Sequence, residues 1–133
     1  IGFSYSTNLY NIYSKKISDL ELISGIKAGL DDEKYRFVGE IVGEPRRAKS
    51  KKGTPYFKFD IKDHTDQITC WAFKTAYFDA IEEIKENNNR LPKENDICVV
   101  YGKKHGDSIF IEKVGIQDIE IIKKVSELKI DKF

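Results

Sequence analysis

Between Tyr35 and Val114 the chain reads as three strand-like runs, one helical run and two further strand-like runs, an order that few small folds accept. The anchor is Pro55–Lys62. There Phe57, Phe59 and Ile61 alternate with Tyr56, Lys58, Asp60 and Lys62, the period of a strand with one face in a core. Asp63-His64-Thr65-Asp66 follows as a turn, since Asp and Thr satisfy nearby backbone groups. A third strand over 67–73 puts Ile68, Cys70 and Ala72 on one face and Thr69, Trp71 and Phe73 on the other.

The first strand spans about 34–46 and carries apolar residues on both faces. Gly39 and Gly43 inside it predict a bend or bulge, and Pro45 ends regular pairing. Residues 46–54 form a cationic loop closed by Gly53. A helix is expected over 75–87. Tyr77 or Phe78, then Ile81, Ile84 and Lys85, give its stripe, and Asp79, Glu82, Glu83 and Glu86 face outward. Asn87-Asn88-Asn89 ends it, because Asn tolerates the left-handed conformation. Strand four (about 96–103) and strand five (about 108–114) flank a tight turn, Lys104-His105-Gly106-Asp107, with Gly at a position needing positive φ. Residues 1–33 read as a lead-in that packs on the main domain (34–115), with a short helix over 8–15, and residues 116–133 as an extension.

Composition narrows the function classes. The length suits one domain, and the net charge of +1 points to no polyanionic partner by itself. Phosphates respond to charge within a Debye length, ~8–10 Å at ordinary salt, so a local cluster matters more. The dense basic cluster is Arg46, Arg47, Lys49, Lys51 and Lys52. Cys70 and Cys98 sit in apolar runs and read as buried reduced thiols. His64 and His105 read as turn residues, and Asp63 with Asp66 as a turn signal, so no metal or cofactor is expected. No apolar run reaches the ~18 residues of a membrane helix, and a reducing cytoplasm is the simplest compartment. The sequence opens on Ile1 and holds no Met, which suggests a piece excised from a larger protein.

Three strands, a helix and two strands make a mainly β, five-stranded OB-fold barrel with its helix between strands three and four. The strand-two and strand-three face of that barrel, with loops one-two and four-five, is its usual oligonucleotide site. Loop one-two is here the cationic loop, and loop four-five brings Lys103 and Lys104. Trp71 is the foremost base-stacking candidate and Tyr56 the second, with Lys58 extending the phosphate track. Lys58 is expected nearly opposite Trp71 across the hairpin. Each has a plainer alternative: the lysines as a solvated loop, Trp71 as a docking contact, Tyr56 as a surface tyrosine.

Gly39-Glu40-Ile41-Val42, Lys51-Lys52-Gly53, Phe59 to Asp63, Trp71-Ala72-Phe73 and Val99-Val100-Tyr101-Gly102-Lys103 occur in an order that resembles the OB domain of the bacterial replicative DNA polymerase III alpha subunit. The opening Ile1-Gly2-Phe3-Ser4-Tyr5-Ser6 is similar to the segment before that domain. Asn8-Leu9 departs from the pattern, standing where the family carries a His-Pro pair. The resemblance implies a module outside the polymerase active site that contacts single-stranded template DNA. Its partners would be other domains of the parent polymerase and replisome subunits. It assigns no catalytic residue to this chain.

Two other readings fit the same residues. One is an adaptor barrel whose Trp71 face docks on another protein domain, and the other is a tRNA-binding OB domain, which fits the fold but is not favoured by the lead-in segment. An independent hydrolase is disfavoured, because no nucleophile stands with a base at useful spacing and no Gly-rich loop cradles phosphate.

Overall fold

A computed structural model describes Tyr10, Asn11 and residues 13–117. The lead-in aromatics Phe3 and Tyr5, with Leu9 and Ile12, lie outside the described residues, as do the opening segment of the polymerase resemblance and the extension from residue 118. The elements are α1 (Ile23–Lys27), β1 (Lys34–Lys49), β2 (Pro55–Lys62), β3 (Gln67–Phe73), α2 (Ala80–Asn88), β4 (Ile97–His105) and β5 (Ser108–Ile116). The strands close a barrel in the order β1-β2-β3-β5-β4, with α2 between β3 and β4 in the chain. This is the OB fold expected from the element order.

Closure depends on β1 serving two partners. Its first half, Lys34 to Glu40, pairs with β4, and from Glu40 onward it pairs with β2. The strand passes between them at Gly39, where a Cβ would stand 2.4 Å from the Lys62 carbonyl oxygen. Only glycine lets the two backbones approach so closely. Pairing then skips from Val42 to Arg46, and Gly43 adopts φ +72° in the gap. That bulge absorbs Pro45, whose missing N–H is never asked for a ladder bond. Pairing resumes at Arg46 and continues to Lys49, so β1 ends three residues beyond its expected limit.

The core is filled by alternating residues: Phe57, Phe59 and Ile61 from β2, Ile68, Cys70 and Ala72 from β3, and Ile109 and Ile111 from β5. Ile81 and Ile84 of α2 join it, as do Ile23 and Ile26 of α1. A second cluster ties Tyr13 and Leu20 of the lead-in to Val38 and Ile97. Both cysteines are buried and free. Burial raises the Cys70 thiol well above its ordinary range and pushes Cys98 up to about 12, so both stay protonated. No helix among the described residues is long and apolar enough to cross a membrane.

The second helix begins at Ala80 rather than at Thr75. The Thr75 hydroxyl accepts the Phe78 N–H and donates to the Phe78 carbonyl, which closes a turn instead of a helical first turn. Asp79 is the true N-cap and accepts the Glu82 N–H at 3.0 Å. At the other end Asn89 is left-handed, φ 62°, as the asparagine run predicts.

Candidate nucleic-acid interface

Residues paired across neighbouring strands project to the same face of a sheet, so the registers assemble the site. Arg46 of β1 pairs with Lys58 of β2, Lys58 with Trp71 of β3, Trp71 with Phe110 of β5, and Phe110 with Lys103 of β4. One transverse row on the outer wall therefore reads Arg46, Lys58, Trp71, Phe110, Lys103. The expected opposition of Lys58 and Trp71 is present, and the Lys58 ammonium lies 4.9 Å from the indole centroid.

The turn after β2 holds that register. The Asp63 carboxylate is buried and accepts N–H bonds from Thr65 and Asp66, and a third from Ile23 at the start of α1. Thr65 in turn accepts the Ser24 N–H. Asp63 thus serves the turn and the first turn of α1 together, while the Asp66 carboxylate accepts the Gln67 N–H and the Lys27 ammonium.

Beside the row lies an aromatic column. Trp71 and Phe73 stack at 5.7 Å with planes 3° apart. Tyr56 meets the Trp71 ring edge-on at 5.2 Å, and Phe110 meets Phe73 in the same manner at 5.2 Å. The His105 ring lies 4.2 Å from Phe110. Trp71 is half-buried by these neighbours, and its indole N–H donates to the Ser108 hydroxyl at 3.3 Å. Phe110 is 39% exposed despite its size. The face offers several rings to flat, apolar ligand surfaces, framed by cations on either side.

The cations sort into three groups. Arg46, Lys58 and Lys103 belong to the row. Lys51 and Lys52 are exposed in the β1–β2 turn, which the Ser50 carbonyl closes by accepting the Gly53 N–H. Arg47 and Lys49 were expected in the loop, but they stand on the ladder opposite Phe57 and Pro55, and so on the other face of the ribbon. Among the described residues none of these seven forms an ion pair.

Lys104 is a correction. It pairs with Ile109 and so points away from the row, and it is only 5% exposed. Its ammonium donates to the Gly29 carbonyl at 2.9 Å and to the Asp31 carboxylate at 3.0 Å. Asp31 is held below its ordinary carboxylate range by that hydrogen bond and charge. A lysine so buried ties the lead-in to β4 and lies away from the face where a phosphate would be met.

Phe73, Phe110 and His105 join the candidate face, and sequence reasoning did not place them there. Their signal was alternation: Phe73 shares the parity of Trp71, and Phe110 stands opposite Ile109 and Ile111. What local sequence lacks is the parallel pairing of β3 with β5, which brings Phe110 beside Trp71.

No protein-family model matches the sequence, and a search of curated proteins finds no match. Solved structures do match. Apo TiaS, a tRNA agmatidine synthetase, superposes with a TM-score of 0.52 at 23% identity, over 74% of this chain and 21% of that one. A ZRD-deleted TiaS mutant in complex with agmatine gives 0.50 at 25% identity, over 66% and 22%. The mitochondrial single-stranded DNA binding protein Rim1 from S. cerevisiae gives 0.50 at 16% identity, over 67% and 98%. The chain spans about a fifth of the length of the two TiaS structures. What the chain has in common with these proteins is the barrel.

Proposed function

We propose that this chain is a non-catalytic module that grips single-stranded nucleic acid across its β2–β3–β5 face. The observation that carries the reading is the transverse row, two aromatic residues set between cations that form no ion pair among the described residues. Single-strand binding without base readout uses these two terms: counterion release at phosphates and stacking on aromatic faces. The order of motifs from Gly39 to Lys103 supports a parent of the polymerase III alpha type. Template DNA, the other polymerase domains and replisome subunits would then be the partners, in the cytoplasm.

Trp71 is the sole tryptophan, so its emission reports directly on the face. Titration with oligo-dT at low salt should quench it. Trp71→Ala should weaken binding, followed by anisotropy of labelled oligo-dT, by ~1–3 kcal/mol. Unchanged emission together with unchanged anisotropy would refute the proposal and favour the adaptor reading. The likeness to TiaS supports a second reading, an OB domain that binds tRNA. Tighter binding of tRNA than of oligo-dT in competition would select it.

A further inference from the structure

The connector between β3 and α2 carries an aromatic that the barrel does not use. Tyr77 is 100% exposed, and Phe78 beside it is 42% exposed. This exposure belongs to a fixed loop. Thr75 N–H donates to the Phe78 carbonyl at 2.8 Å, the Thr75 hydroxyl bonds Phe78 twice more, and Lys74 bridges Asp79 below. Ala76 and Tyr77 are left as the tip of a closed two-residue loop. The backbone under Tyr77 is held, so covering the ring has only its side-chain torsions left to order.

Its place says which partner. The loop continues β3 beyond Phe73, the last ring of the stacked column. The Lys74 N–H donates to the Pro55 carbonyl at 3.2 Å, and Pro55 closes the β1–β2 ladder at Lys49. The Tyr77 loop and the Lys51-Lys52 turn thus leave the sheet from the same end of β2. Three residues of backbone separate Tyr77 from Lys74, a reach of at most ~11 Å.

We infer that Tyr77 is a further stacking position, taking a base of the same single strand where it leaves the barrel wall between this loop and the lysine turn. The inference rests on the face described above being the binding face. The site then accepts a strand longer than the row alone covers, and Tyr77 contributes only to the longer ligand.

The test compares labelled oligo-dT of about four and about twelve nucleotides, within the range that single OB folds occupy. Tyr77→Ala should weaken the longer oligonucleotide by ~5- to ~150-fold, the loss of one stacked base, and leave the shorter unchanged. Tyr77→Phe keeps the ring and should bind as the unsubstituted chain does. Equal affinity of Tyr77→Ala and the unsubstituted chain for the longer strand would overturn the inference, as would loss of the shorter one. Trp71→Ala separates the two proposals. If it weakens both oligonucleotides while Tyr77→Ala weakens neither, the face stands and the extension falls. If the unsubstituted chain binds neither, both fall.

Discussion

The salt dependence of binding can be worked out from the sorting of the cations. Arg46, Lys58 and Lys103 lie in the row, and Lys51 and Lys52 in the adjoining turn. Each phosphate neutralised on a single strand contributes ~0.7 to the slope of log K against log salt, so all five together predict ~3.5. Raising salt fourfold, from ~50 to ~200 mM, should then weaken oligo-dT binding by ~100-fold. Replacing Lys51 and Lys52 with Ala should lower the slope to ~2.1 and reduce the same salt penalty to ~20-fold. Arg47→Ala with Lys49→Ala removes the same charge from the other face of the ribbon, and should leave the slope near ~3.5. Anisotropy titrations at four or five salt concentrations measure all three slopes. Equal slopes for the two double variants would refute the assignment of faces, because net charge rather than position would then govern binding.

Three other substitutions probe the geometry. Lys103→Met should weaken oligo-dT binding, whereas Lys104→Met should leave affinity unchanged and lower the melting temperature, since that ammonium holds Gly29 and Asp31. A loss of affinity in the Lys104 variant would place it back among the phosphate contacts. Gly39→Ala forces a Cβ to within 2.4 Å of the Lys62 oxygen and 2.8 Å of Ile61 Cγ1, so β1 must shift at its crossover. The expected cost is ~1–3 kcal/mol, a drop of ~4–8 °C in Tm per kcal/mol, and an unchanged Tm would mean that the crossover is looser than described.

Much of this fold was legible residue by residue. The alternation in Pro55–Lys62 and Gln67–Phe73 set which side chains face the core, and the Asp63 turn set Lys58 against Trp71. Parity also held the answer for Lys104, since an inward Ile109 opposite it requires an inward lysine, but the pairing partner has to be known first. The helix start escaped because Thr75 competes locally for the Phe78 amide, a choice that stripe periodicity does not register. Arg47 and Lys49 were misplaced because a bulge at Gly43 lets a strand survive a proline. Phe110 joined the site only through a contact between strands remote in sequence, which no local pattern encodes.

That remote contact decides when the proposed face is complete. Thr69, Cys70 and Trp71 zip against Ser108, Ile109 and Phe110 in the parallel seam, roughly forty residues apart along the chain, and such a loop is entropically costly to close. With β1, β2 and β3 alone the face carries Tyr56, Trp71 and Phe73 but lacks Phe110 and Lys103. On the proposed reading the face is completed only when this seam closes, and a ligand that spans both sides of it would stabilise the finished barrel.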